Sequence, residues 1–340
     1  MNFQIYRDFK ELDSLAGKWN QLVIESASHV PFLRYEYLTA WWQTLGGGEW
    51  PSGELCVVVA RAENGELVGI APLFFTQNLD EKPALMFIGS IEISDYLDLV
   101  ARPQDLPTFI DGLLTYLTGP ELPAWEVLDL YNILEDSPSL AILKESAARS
   151  GLSYHQEALQ PAPMIALPDD WETYLANIDK KQRHEIRRKI RRAENAPIEL
   201  RWYFVEDEAS LDSEMDAFLK LMAYDPGKEK FLTDVMRTQM KAAVHTAFRA
   251  GWLQLAFLEI GGQKAAAYLN FDYANQLWVY NSGLNFEMGY YSPGWVLLAY
   301  LIQWAINNGR TAFDFMRGDE DYKYRFGGVD RFVQRVQIRR

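Results

Sequence analysis

At 340 residues the chain exceeds the usual size of one hydrophobic core and predicts two domains. It is 49% hydrophobic and 14% aromatic, which excludes a disordered or low-complexity chain. The formal charge of -14 argues against a general nucleic-acid binder, which needs a net basic surface, but leaves room for a local basic patch that holds phosphate.

The one cysteine, Cys56, permits no internal disulfide and no cysteine-rich zinc site. It sits in the strand-like run 55–59, which predicts a buried structural thiol. Residues 1–8 carry no basic segment followed by an apolar stretch, so no signal peptide is expected. No window approaches about 18 uninterrupted apolar residues, so no membrane span is expected and the expected compartment is the cytoplasm.

In chain order, residues 2–7 alternate as a strand, and Leu12, Leu15, Trp19, Leu22 and Val23 give 9–26 a helical period. A second helix is predicted over 35–45, with Trp41 and Trp42. Strands over 54–61 and 66–75 are joined by Asn64-Gly65, a strong hairpin signal. Further strands are expected at 84–89, 96–100 and 126–130, with helices at 104–117 and 138–150, so the first half reads as a mixed α/β domain. Pro161, Pro163 and Pro168 break the pattern, and the chain is divided there into residues 1–165 and 166–340.

The second half opens with helices over 170–193, 208–223 and 230–249. Three strands follow in quick succession, 252–260, 263–273 and 276–281, with Gly261-Gly262 and Ala274-Asn275 as tight turns. A helix starts after Ser292-Pro293-Gly294, runs over 295–308 and is closed by Gly309. Next come a strand over 312–316, an acidic glycine-bearing loop over 317–321 and a last strand over 332–338. The fold class is α/β (α+β), mainly antiparallel. Both halves begin with a helix and then a hairpin, without a residue-level repeat.

The segment Tyr290-Tyr291-Ser292-Pro293-Gly294-Trp295-Val296 turns a strand into a strongly apolar helix. Unpaired N–H groups and the positive end of the helix dipole then face the turn, a physical recipe for holding a pyrophosphate or another anion. A proline-started helix with no ligand is the plainer alternative. In the run 311–326, Asp314 lies between Phe313 and Phe315 and points away from both. Such a carboxylate is either paired with a cation, for which Arg317 and Lys323 are natural partners, or set in a cleft. Residues 180–192 hold eight Lys/Arg, with Ile178, Ile186 and Ile190 marking the buried side. This run is either a solvated face or an anion-binding surface.

A meander followed by such a turn and helix resembles the core of the GNAT superfamily of acyltransferases. The stretch Asp314-Phe315-Met316-Arg317-Gly318-Asp319 with Tyr322-Lys323 resembles the C-terminal motif of the CelD-like members, associated with cellulose and exopolysaccharide biosynthesis. The helix bearing Arg183 to Arg192 and the phrases Pro31-Phe32, Trp41-Trp42, Ser94-Asp95-Tyr96-Leu97-Asp98 and Leu128-Asp129-Leu130 fit the same pattern, so the likeness spans nearly the whole chain. FemAB-like enzymes are relatives with two such domains.

The resemblance implies two GNAT-like domains, each a mixed, mainly antiparallel twisted sheet flanked by helices, the first degenerate and the second carrying the cofactor site. It implies acetyl-CoA or another acyl-CoA as co-substrate and no metal. Tyr280 and Asn281 would lie along the pantetheine, and Tyr291, Ser292, Gly294 and Trp295 at the pyrophosphate. The family loop runs Arg/Gln-x-x-Gly-x-Gly/Ala, whereas this chain, aligned on Gly294, has Tyr291 first and Val296 last. Asp314 or Asp319 would bind or deprotonate the attacking amine, and Tyr322 would protonate the leaving thiolate. Arg317, Lys323 and Arg187 would hold phosphates or a substrate carboxylate. Replacing Gly294 by a bulky residue is expected to abolish donor binding without unfolding the protein.

The expected reaction is direct transfer of an acyl group to an amine on a sugar, amino acid or peptide, in polysaccharide or cell-envelope synthesis. Two alternatives stand beside it: a FemAB-type transferase drawing on aminoacyl-tRNA, and a non-catalytic glycan- or protein-binding module. No DNA partner is expected. The histidines His29, His155, His184 and His245 form no HxxH or HxxxH pair, and the chain has no Gly-x-Ser-x-Gly elbow and no Walker loop. Zinc, hydrolase and ATPase chemistry therefore lack a motif.

Overall fold

In the computed structural model, which describes residues 1–340, the chain opens with strand β1 (Asn2–Tyr6), a 3-10 segment (Phe9–Leu15) and helices α1 (Ala16–Glu25) and α2 (Tyr35–Gly48). Strands β2 (Glu54–Leu55), β3 (Val57–Arg61), β4 (Leu67–Ala71), β5 (Leu73–Gln77), β6 (Pro83–Phe87) and β7 (Val100–Ala101) follow. Helix α3 (Leu106–Leu117), β8 (Val127–Leu134), α4 (Pro138–Arg149) and β9 (Ser153–Pro161) lead to β10 (Met164–Ala166). Helices α5 (Trp171–Asn177) and α6 (Lys180–Glu194) precede β11 (Leu200–Phe204), α7 (Glu208–Met222), α8 (Pro226–Phe231) and α9 (Asp234–Arg249). The meander β12 (Leu253–Ile260), β13 (Gln263–Tyr273) and β14 (Gln276–Leu284) is followed by α10 (Pro293–Asn307), β15 (Ala312–Asp314), α11 (Asp321–Arg325) and β16 (Phe332–Arg339).

The first unit comprises Met1–Gln160 with Phe332–Arg340, and the second Pro161–Arg331. The expected division at 165/166 is therefore displaced, and the last strand returns to the first unit. That strand pairs antiparallel with β8 over Val333–Arg339, buries Val333, Val336 and Ile338, and carries one half of a buried ion pair. Asp129 on β8 is fully buried and receives Arg335 of β16 through Nε and Nη2, both at 2.8 Å. Asn78 and Gln337 donate to the same carboxylate.

In the first unit β1-β3-β4-β7 form one sheet and β2-β5-β6-β8-β16-β9 a second. The predicted hairpin around Gly65 is present, but each of its arms is cut in two, at Cys56 and at Pro72. There the chain passes from one sheet to the other, because Pro72 has no N–H to continue a ladder. Cys56 is wholly buried, and burial pushes its thiol up to about 11, which agrees with a structural role.

The second unit is one six-stranded sheet, β10-β15-β14-β13-β12-β11, antiparallel except for β14 beside β15. Its two tight turns have positive φ at both central residues, Gly261-Gly262 (59° and 73°) and Ala274-Asn275 (55° and 58°), the geometry that matches strand twist. The helix expected over 170–193 is two helices. Asp179 ends one and caps the next, its carboxylate accepting from the N–H groups of Lys181 and Gln182. Ile178 therefore lies at the end of α5, while Ile186 is buried under α6 against α10.

The two units share an arrangement of strands. In the first, β5, β6, β8 and β16 are neighbours, paired antiparallel, parallel and antiparallel. In the second, β13, β14, β15 and β10 repeat that order and those directions. A helix, α3 or α10, stands in the chain between the two parallel strands of each.

Candidate functional site

Beyond the parallel pair the two units differ. In the first, residues 88–99 fold back against β8: Asn132 Nδ2 donates to the carbonyls of Ile91 (2.8 Å) and Ser94 (2.9 Å), and Leu97 N–H donates to Asn132 O at 2.9 Å. Ser90, Ser94, Tyr96, Leu97 and Asp98 are buried there, so the chain itself fills the space. In the second unit β14 pairs with β15 only over Gln276–Trp278 and then continues to Leu284 with no strand on that side. Its ladder with β13 also slips: Val279 faces Asn270 and Asn281 faces Leu269, so Tyr280 is an extra, bulged residue. A sheet edge with a bulge leaves backbone polar groups for an extended ligand.

That edge leads to the N-terminus of α10. A 3-10 turn (Phe286–Tyr291) follows β14, and Ser292 adopts a left-handed conformation (φ 52°) before Pro293 opens the helix. Ser292 does not cap the helix; its Oγ accepts from Arg192 Nη2 at 2.8 Å. Helix α6 lies alongside and brings its cations to the same place. Lys189 Nζ stands 3.6 Å above the Trp295 ring, and the Arg192 guanidinium lies 5.1 Å from the Tyr290 ring. Arg188, Arg191 and Arg192, spaced three and four residues apart on one face of α6, line a cavity of about 540 Å³ with Tyr290 and Tyr291. Arg192 Nε is buried with no hydrogen-bond partner. An unmet guanidinium N–H beside a helix N-terminus fits a phosphate ligand.

A third group of side chains meets the open edge of β14. Lys228 reaches it from α8, donating to Asn281 Oδ1 at 2.9 Å and Ser282 O at 2.6 Å. Burial lowers the Lys228 pKa, opposed by the carboxylates of Asp225 and Glu320 and reinforced by the Lys323 ammonium. Tyr322 packs edge-on against Phe315 and close to Tyr268, whose hydroxyl lies 3.5 Å from the Gly294 carbonyl. Burial raises the phenol of Tyr322 well above its ordinary value, helped by Tyr268 and Glu320.

The structure brings Tyr280, Asn281, Tyr322, Tyr291, Ser292, Gly294 and Trp295 around this edge and turn. The others need correction. Asp314 is fully buried, with Arg331 Nη2 at 2.5 Å and the Met316 N–H at 2.7 Å on its carboxylate, so Arg331 holds it and it positions the loop after β15. Lys323, 2% exposed, donates to the carbonyls of Met316 (3.2 Å), Arg317 (2.6 Å) and Gly318 (3.2 Å) and pairs with Glu320 at 2.9 Å. Its three protons are engaged, so it staples the 316–320 loop instead of holding a substrate anion. Arg317 contributes its carbonyl to that staple, and Asp319 is exposed on the loop. Arg187 pairs with Glu172 of α5, away from the cavity its neighbours line. Gly294 is buried, and a Cβ there would meet Leu284 Cδ2 at 2.6 Å, so the glycine lets α10 approach β14. A larger residue there requires the Leu284 side chain to shift, so a loss of donor binding in such a variant is read together with its stability.

Reasoning from sequence missed Lys228 and Arg331. Neither has a motif around it; only the fold carries them to Asn281 and Asp314. No group of three or more His, Cys, Asp or Glu is placed to hold a metal ion, and no helix is long and apolar enough to cross a membrane.

A meander with a bulged, one-sided strand running into a cation-flanked helix N-terminus resembles the core of a GNAT acyltransferase domain, and the second unit carries that likeness. Residues 180–324 match the family model of the acetyltransferase (GNAT) domain. Over its whole length the chain is FemAB-like in fold. It is similar to the solved structure of FemX at 10% identity and a TM-score of 0.63, covering 98% of this chain and 97% of FemX. A conserved protein of unknown function from Bacteroides thetaiotaomicron aligns at 11% identity and a TM-score of 0.64, over 100% of both chains. L-PGS from Bacillus licheniformis aligns at 12% identity and a TM-score of 0.53, over 90% of this chain and 91% of that one. No curated protein matches.

Proposed function

We propose that the second unit transfers an acyl group from acetyl-CoA or another acyl-CoA to an amine, and that the first unit binds no donor. The observation that carries this reading is the course of β14. It leaves β15 after Trp278, bulges at Tyr280 and runs toward the α10 N-terminus under the α6 cations. An extended, amide-bearing pantetheine suits the open edge, and the phosphates suit Arg192, Arg188, Arg191 and the first turn of α10. The thioester then lies near Tyr280 and Asn281, where backbone N–H groups stabilise the developing oxyanion.

The acceptor amine attacks the thioester carbon in a ternary complex, so positioning supplies most of the rate. Tyr322 is a neutral phenol at neutral pH and burial raises it further, so it is placed to donate a hydrogen bond to the departing thiolate. The wholly buried Cys56 lies between β2 and β3 of the first unit and takes no part. The acceptor class is an amine on a sugar, amino acid or peptide of the cell envelope or an exopolysaccharide, in keeping with the fold shared with FemX and L-PGS. A second reading, donation from aminoacyl-tRNA, is favoured by the arginine-rich face of α6. Calorimetric titration with acetyl-CoA and with unacylated tRNA at two salt concentrations separates them: heat with acetyl-CoA alone supports the first, and salt-sensitive heat with tRNA alone supports the second.

A further inference from the structure

We infer that Lys228 stands in the place of the acceptor amine and is itself acylated by the bound donor. The inference rests on the acyl-CoA reading above and adds a covalent modification site to it. Lys228 is on α8, and its side chain crosses to the part of β14 that no strand covers. Its Nζ is held 2.9 Å from Asn281 Oδ1 and 2.6 Å from Ser282 O, one and two residues past the bulge at Tyr280 where the thioester is placed. The contact to Ser282 Oγ, at 3.5 Å, is weak, so two good acceptors fix the nitrogen and its remaining position stays available. Asn281 Oδ1 is fixed in turn by the Ser282 N–H at 2.9 Å, so the anchor is rigid.

The environment favours the reactive form. A lysine attacks as the neutral amine, and burial of Lys228 disfavours its charged state. Lys323, on the other flank, has its protons engaged by three carbonyls and Glu320, so of the two it is Lys228 that is left to react. In the step, the Lys228 nitrogen forms a bond to the thioester carbonyl carbon and the carbon–sulfur bond breaks. The coenzyme leaves as a thiolate, which takes up the proton lost by the amine, and the product is Nε-acetyl-lysine. The modified side chain has no positive charge and carries an acetyl group at the uncovered part of β14, where it competes with an external amine for the place beside the thioester.

The test is incubation of the full-length protein with acetyl-CoA alone, without an acceptor, followed by peptide mass spectrometry at timed intervals. Lys230 on the same short helix is exposed and serves as the internal reference for uncatalysed acetylation. Acetylation of Lys228 at least tenfold faster than of Lys230, with the preference lost in urea and the rate slowed in an Arg192→Ala variant, is the expected result. Equal rates at the two lysines, or the same ratio in urea, overturn the inference. Calorimetric binding of acetyl-CoA in the same preparation separates the two levels. Binding without acetylation of Lys228 overturns this inference alone, whereas no binding overturns the donor reading and this inference with it.

Discussion

At the scale of single residues, the charged groups divide into those that hold the fold and those that face a ligand, and the side-chain partners decide which is which. Asp314 and Arg331 belong to the first kind. Replacing Asp314 by Asn removes the buried carboxylate that pairs with Arg331, so stability falls by about 3 kcal/mol, measured by denaturant unfolding. Lys228 belongs to the second, and its behaviour with pH follows from the direction of its shift. A lowered pKa means that the neutral amine is present at a lower pH than for an ordinary lysine at about 10.4. The ratio of Lys228 acetylation in folded to urea-unfolded protein is therefore largest near neutral pH and shrinks as pH rises toward 11. A ratio independent of pH contradicts the assignment. Sequence alone named Tyr280, Asn281, Tyr322 and Ser292 because each lies in or beside a motif. It chose Lys323 as a ligand group because a sequence does not show that three carbonyls of the 316–320 loop converge on one ammonium.

At the scale of elements, patterning carried most helices and the meander, since apolar period and turn chemistry are local properties. It missed β9, β10 and β11. β9 is largely exposed at a sheet edge, β10 has three residues between prolines, and β11 shows little alternation in burial. The turn before α10 was legible as an anion site, but the reason for its glycine was not. Gly294 faces Leu284 across a gap that a Cβ closes to 2.6 Å. Gly294→Val is expected to cost about 1–3 kcal/mol of stability, because a core contact must shift. A variant as stable as the parent in thermal unfolding contradicts the close approach of α10 and β14. The basic run on α6 was read as a single surface, whereas the helix sorts it by partner: Arg187 pairs with Glu172 and Arg188 with Glu185, while Arg188 still borders the cavity that Arg191 and Arg192 line.

At the scale of the whole molecule, both units use the same order and directions of four strands, a likeness invisible in the residues because topology persists where side chains change. The last strand belongs to the first unit, which no local pattern reveals, since strand pairing across about 200 positions leaves no trace in spacing. Arg335 fastens it. Arg335→Ala leaves the Asp129 carboxylate buried without a cation, and the expected loss is about 3–5 kcal/mol, read as an early unfolding transition. In the first unit the space beside β8 is filled by residues 88–99, while in the second the edge of β14 is open, and the account assigns donor binding to the second for that reason.

The most direct test is calorimetric titration of the full-length protein with acetyl-CoA, repeated with Arg192→Ala and Arg187→Ala. One site per chain is expected, with affinity about tenfold or more weaker in Arg192→Ala, where a charge-assisted contact to phosphate is lost, and unchanged affinity in Arg187→Ala. No binding by the parent protein, or equal losses in the two variants, contradicts this expectation.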